Sequence, residues 1–523
     1  MTLTPIDWII IAAYLVGSVG AGLRMRRYVR DVNDFALAGR EMDVHLGVAS
    51  LAATEIGIVT VMYTGEMGFK SGLAGAAPGI LLCLAMLIVG MTGFVIKPLR
   101  DAGVVTIPEL FEKRFGKKVR WLAGLVVVLG GVLNMGIFLR LGGEFLMCVT
   151  GLDPKAEFSL AAFGPQWHLG VLEVIMTGLL ALILTYTVLG GMVSVLVADY
   201  LQFLVKGLGI VIVSVLVLWN VGPGDLIAGL DKVRSGTPTP GSMTMTDPFD
   251  PVRSLGVGWV IWQALLALAV MTTWQTIVAR ALAARDSHTA KRIYRGTAFY
   301  FVGRFALPGL WGAAAFLYFA SPAVGGLPDG VGSLTAMPVY LGRILPAGIL
   351  GIVVAAMLAA EMSTDSGYLL TWATVIYNDL ISPCLKKPMP AAVRLRTVRL
   401  MVLAIGLFLV FYGLWYQIPG RAWDYLSVTG NIYLASLFTL LVGALYWRHA
   451  NSWGALAAII LGAVGPIAFL VINAVVKDPA RQIPAEVAGL SAFGMSFAGM
   501  VFGSLARRTA GPAAAPEPEE AAK

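Results

Sequence analysis

Apolar runs of about twenty residues recur along the whole chain, and about twenty is the number an α-helix needs to cross some 30 Å of hydrocarbon. Read this way, the sequence predicts thirteen spans, near residues 6–24, 46–69, 74–97, 120–149, 169–189, 192–220, 254–281, 295–320, 346–378, 398–417, 424–446, 452–475 and 485–506. A membrane β-barrel would show alternating segments of about ten residues instead. The first run has no basic segment before it and no small-residue cleavage site, and Arg24, Arg26 and Arg27 follow it directly, so it is expected to be a retained span. The expected fold class is an all-α polytopic membrane protein with a single transmembrane domain over 1–508 and a disordered, solvated tail over 509–523.

Composition agrees with the pattern. The 523 residues are 58% hydrophobic and 13% charged, well away from the roughly half apolar and quarter charged of soluble domains. The formal net charge of +8 lies mostly in short loops between spans. Basic residues such as Arg24, Arg40, Lys117, Arg285 and Lys386 fall in alternate loops, which places the N-terminus outside and the C-terminus in the cytoplasm of a plasma (inner) membrane protein. This explanation leaves no reason to invoke nucleic acid, and no obligate protein partner is indicated. The stretch 221–253 is too short and polar to bury a core, so no soluble catalytic domain is expected. Cys83, Cys148, Cys384 and the four histidines are dispersed, without the spacing of a disulfide framework, a metal cluster or a nucleophile with its base, and an enzyme is not expected.

Two polar islands interrupt the apolar pattern. In the ninth span, Ala360, Ser363 and Thr364 stand at i, i+3 and i+4, so two hydroxyls and a carbonyl freed by local distortion share one face. Hard oxygen donors without sulfur or imidazole suit an alkali cation, and this reads as half of a sodium site. The competing reading is back-bonding of Ser and Thr to the preceding turn. In the second span, Glu55 and Gly57 mark an expected break that would free the carbonyls of Ala53 and Ile56, against the alternative of a continuous helix with a packing glycine. The seventh span, with Thr272, Thr273 and Gln275, is a second candidate for interruption. Spans two to six and seven to eleven then form two five-helix units of opposite orientation, roughly 46–220 and 254–446, each opening on an interrupted helix.

Four local matches resemble one family. They are Asp34–Arg40 (DFALAGR), Tyr186–Gln202 (YTVLGGMVSVLVADYLQ), Gln275–Ala284 (QTIVARALAA) and Ala359–Ser366 (AAEMSTDS), and in this order and spacing the chain resembles the solute:sodium symporter family over nearly its whole length. The resemblance implies a five-plus-five inverted repeat, sodium-driven symport by alternating access, and a sodium site at the carbonyls of Ala53, Ile56 and Ala360 and the hydroxyls of Ser363 and Thr364. Some members hold a second ion with an Asp in the sixth span and two adjacent hydroxyls. Here Asp199 and Ser366 match, while Gly367 stands where the second hydroxyl would be.

Glu55, Arg40, Trp262 and Gln275 are the substrate or gating candidates, and Arg140 with Glu144 reads as a local ion pair. Lys206 and Arg304 are expected to snorkel or to pair across helices. The apolar middle of the seventh span, Ala264 to Met271, suits a small organic acid or amino-acid-like solute better than a hexose. The expected partners are therefore a small solute, Na+ and the bilayer. A proton-coupled transporter of the same fold, with Asp199 or Asp365 passing protons, and a transport-like sensor are the alternatives.

Overall fold

The structure is a computed structural model and describes residues 3–25, 41–153, 155–159, 168–236, 243–387, 389–416, 420–476 and 478–506. Arg40, with the rest of the match over 34–40, and the tail over 509–523 lie outside the described residues.

In chain order the helices are α1 (Pro5–Met25), α2 (Val44–Glu55), α3 (Ile58–Ser71), α4 (Ala77–Thr92), α5 (Ile96–Asp101), α6 (Ile107–Phe115), α7 (Lys117–Met135), α8 (Phe138–Thr150), α9 (Val171–Val221), α10 (Pro223–Arg234), α11 (Pro251–Leu255), α12 (Val257–Thr273), α13 (Gln275–Ala283), α14 (Ser287–Thr297), α15 (Tyr300–Phe319), α16 (Ser333–Ile344), α17 (Ile349–Val375), α18 (Ala391–Trp415), α19 (Ala422–Tyr446), α20 (Ser452–Val475) and α21 (Ala485–Ala506). A short antiparallel pair, β1 (Glu157–Ser159) with β2 (His168–Gly170), precedes α9. Among the described residues, ten helical stretches are long and apolar enough to cross a membrane, joined by the shorter apolar helices Pro5–Ala21 and Val171–Thr185. The expected all-helical membrane architecture is therefore present, but the count of thirteen spans is not established.

Three differences from the sequence pattern have physical causes. The fourth span divides at Gly136 and Ile137 into α7 and α8, where Tyr412 packs so closely that a Cβ on Gly136 would lie 2.4 Å from its ring. The backbone stays helical from Val171 to Val221 through Gly190 and Gly191, where a loop is expected between two spans. The polar stretch after 221 carries a helix, α10, begun by Pro223 with Asp225 in its first turn, the two residues that favour a helix start.

Burial sorts the helices. The stretch Ile349–Cys384 has 89% of its apolar window enclosed, against 33% for Ala198–Val221, so α17 is central and the second half of α9 peripheral. On α9 the stripe Leu204, Leu208, Val211 and Val215 is exposed, as apolar residues facing lipid are, while Asp199, Gln202 and Lys206 turn inward. Gly209 lets α9 lie against α17: a Cβ there would fall 2.3 Å from Ala356. Asp7 ties α1 to the start of α17, accepting from the Gly348 and Gly351 amides at 2.8 and 2.7 Å and satisfying donors that a helix N-terminus leaves open.

Candidate functional site

The second span breaks as the sequence indicates. Ile56 and Gly57 are extended (φ −114°, ψ 100° and φ −100°, ψ 176°), so α2 ends with carbonyls that no following turn satisfies. The unbroken α17 lies across this end. Ser363 Oγ donates to the Ala53 carbonyl at 2.7 Å, and Thr364 Oγ1 donates to the Thr54 carbonyl at 3.0 Å. Gly57 is needed for the approach, since a Cβ there would lie 2.8 Å from Thr364 Oγ1. The oxygens expected from two distant spans do converge. The expected distortion at Ala360 is absent: α17 is continuously α-helical from Ile349 to Val375, which leaves the Ala360 carbonyl only its second lone pair for any other partner.

A third helix also reaches the break. Lys206 on α9, 1% exposed, donates its ammonium to the Ala53 carbonyl and, at 3.0 Å, to the Ile56 carbonyl. A cation at the C-terminal end of α2 meets the negative end of the helix dipole as well as the unsatisfied carbonyls. Lys206 thus does not snorkel to an interface and forms no ion pair among the described residues; it bonds two of the five oxygen positions expected for sodium.

The residues expected around a second ion are arranged differently. Asp199 accepts from Ser50 Oγ at 3.2 Å and lies 3.9 Å from Arg280 Nη2 of α13. Arg280 Nη2 donates to Thr54 Oγ1 at 2.7 Å and stands 3.1 Å from where a Gly367 Cβ would be, so the guanidinium occupies the space left by the missing hydroxyl. Ser366 Oγ turns to the Ser363 carbonyl at 3.3 Å. Both carboxylate oxygens of Asp365 are buried without a hydrogen-bond partner among the described residues.

The seventh span is interrupted as well. Trp274 (φ −67°, ψ 109°) separates α12 from α13, and its indole donates to Tyr368 Oη of α17 at 3.0 Å. Between the two breaks lies a cavity lined from both broken spans and from α17. Its wall is apolar along Leu266, Ala267 and Val270, aromatic at Tyr63, Trp274 and Trp423, and charged at Glu55 and Arg304. Arg304 Nη1 donates to Glu55 Oε2 at 2.8 Å and Nη2 to Tyr63 Oη at 2.9 Å.

Of the substrate and gating residues expected from the sequence, Glu55 lines this cavity, while Trp262 and Gln275 do not. Trp262 is fully buried and its ring nitrogen packs against Gly489 of α21, while its neighbour Gln263 lines the cavity and accepts from Trp423 Nε1 at 3.2 Å. Gln275 faces α6, its Oε1 3.5 Å from the Ile107 amide. Arg304, expected to snorkel or to pair across helices, pairs with Glu55 across helices and lines the cavity, and Asn134 is a cavity residue that the sequence pattern did not single out. Asn134 is an uncharged polar residue inside an apolar run, which is itself a signal, and its amide donates to the Leu426 carbonyl at 2.7 Å.

A family model described as the sodium:solute symporter family matches residues 35–462. The chain belongs to this family. It is 28% identical over 492 residues to a sodium/glucose cotransporter of Vibrio parahaemolyticus, covering 89% of this chain and 84% of that one. It is 26% identical over 447 residues to the high-affinity proline transporter of Bacillus subtilis, covering 83% and 85%. The structure of a substrate-bound, outward-open Na+-coupled sialic acid symporter shares the fold, with a TM-score of 0.78 at 18% identity over 98% of this chain and 99% of that one. These relatives in the sodium:solute symporter family are transporters rather than enzymes. In this member, the paired Arg140 and Glu144 sit 2.8 Å apart, and Arg140 also donates to the Gly413 and Tyr416 carbonyls, outside the cavity.

Proposed function

We propose that this chain is a secondary active transporter that imports a small organic solute carrying a carboxylate, by alternating access of the cavity between the two helix breaks. It is set in the plasma membrane with its N-terminus outside and its C-terminus in the cytoplasm, the orientation favoured by the basic loops. The observation that carries the reading is the placement of Glu55 and Arg304, the charged residues of its lining, in the cavity that both interrupted helices border. A carboxylate entering there meets a guanidinium already held at Glu55, and the wall formed by Leu266, Ala267 and Val270 accepts a short apolar side chain. The preference for an organic acid or amino-acid-like solute over a hexose rests on Arg304 and on this alkyl wall, set beside the uncharged polar lining of Asn134, Gln263 and Ser427.

The family's description implies sodium coupling, and the cation position belonging to that mechanism is the junction of Ala53 and Ile56 with Ala360, Ser363 and Thr364. A cation there draws the end of α2 and the middle of α17 together, and losing it frees the two elements to separate. The test is uptake into proteoliposomes of labelled organic acids, amino acids, sugars and polyols, under imposed gradients of sodium, protons or neither. Uptake of a carboxylate solute competed by its analogues supports the reading; uptake confined to sugars or polyols rejects the solute class.

A further inference from the structure

We propose that Lys206 is a built-in cation at the α2–α17 junction, so that this transporter works without binding sodium there. The inference rests on the transport reading above and specifies its coupling.

The junction offers oxygen lone pairs and a negative helix end, and either a sodium ion or an ammonium satisfies them. The two cannot do so together. Lys206 donates to the Ala53 and Ile56 carbonyls, and Ser363 donates to the same Ala53 oxygen at 2.7 Å. Both lone pairs of the Ala53 carbonyl are therefore engaged by the chain's own donors. A sodium ion at ligand distance from these carbonyls would lie within a few ångströms of a buried ammonium, with no water layer to screen the repulsion.

The reach of Lys206 is built into the fold. Gly209, one turn on, brings α9 against Ala356, and Asp199, seven residues earlier on the same face of α9, is turned to Ser50 and Arg280. Glu55 and Arg304 offset one another on the far side of the break, and Arg280 is held at Thr54 and Asp199. With these carboxylates engaged elsewhere, the hydrogen bonds of the ammonium at the break go to the Ala53 and Ile56 carbonyls.

The measurement is 22Na+ binding to the purified full-length protein, which needs no knowledge of the solute. The wild type is expected to show no saturable binding. Lys206→Ala frees the Ile56 carbonyl and one lone pair of the Ala53 carbonyl and is expected to gain saturable binding, at least about a hundredfold tighter than any in the wild type, which adding Ser363→Ala then weakens again. Lys206→Met, which keeps most of the aliphatic stem, gives the same comparison if the alanine variant is not monodisperse. Saturable wild-type binding that Ser363→Ala removes overturns the proposal, as does the absence of any gain in a folded Lys206 variant. Uptake strictly dependent on sodium would also overturn it while leaving the transport reading intact. If no solute is taken up in any gradient, the transport reading fails, and the 22Na+ comparison still decides the occupancy of the junction.

Discussion

Ser363 Oγ lies 2.7 Å from the Ala53 carbonyl, joining α17 to the end of α2 across 310 residues of sequence. Both partners are fully buried, so deleting the hydroxyl removes a donor from a carbonyl that has no water to turn to. Ser363→Ala is expected to cost about 1–2 kcal/mol, partly softened because Lys206 still donates to the same oxygen. Thermal unfolding of the purified protein should fall by a few degrees; an unchanged midpoint would mean the bond is not formed.

The ion pair between Glu55 and Arg304 is the charged part of the cavity, with side chains 4% and 11% exposed. Removing one partner of a buried pair leaves the other charge uncompensated, at about 3–5 kcal/mol, whereas replacing both by apolar groups costs less. Glu55→Gln and Arg304→Met should each unfold at clearly lower temperature than the wild type, and the double variant should recover part of the loss. All three should lose uptake of a carboxylate solute. A double variant as unstable as the sum of its parents would show that the two residues act independently.

Gly57 sits in a backbone region open to any residue, so its requirement is one of space. A Cβ at this position meets Thr364 at Oγ1, Cβ and Cγ2, at 2.8, 3.1 and 3.2 Å. Gly57→Ala is expected to push α17 away from the break and to reduce both stability and transport. Adding Thr364→Ala clears Oγ1 and Cγ2 and should restore the thermal midpoint in part, although the bond to the Thr54 carbonyl is then lost. Failure of the second substitution to help would place the strain elsewhere.

What the sequence made legible was local. The break at Ile56 and Gly57 could be read because Glu55 and Gly57 are out of place in an apolar helix, and the interruption at Trp274 because three polar residues cluster there. Periodicity also placed Ser363 and Thr364 on one face. It could not say what stands opposite that face: Lys206 lies more than 150 residues from Ser363, and its contact depends on Gly209 letting two helices touch. Trp262 shows the limit of resolution, because one position along a helix is about 100° of rotation, which separates a tryptophan packed on α21 from the glutamine facing the cavity. Gly190 and Gly191 fall between the predicted spans 169–189 and 192–220, yet the backbone continues as helix through them.

Arg120 allows burial to be tested with one guanidinium and two carboxylates. Its Nε lies 2.9 Å from Asp379 Oδ1, and its Nη1 lies 2.5 Å from Glu112 Oε2. Asp379 is fully buried and also accepts from Thr106 Oγ1 at 2.9 Å, whereas Glu112 is 26% exposed. Distance alone would rank the Glu112 contact as the stronger. Burial reverses that order, because water can take over the bonds of Glu112 but cannot reach Asp379. Asp379→Asn is therefore expected to cost about 2–3 kcal/mol and Glu112→Gln under about 1 kcal/mol, read as the difference in unfolding midpoint between the two variants. Equal losses, or a larger loss for Glu112→Gln, would mean that this junction is open to water in the folded protein.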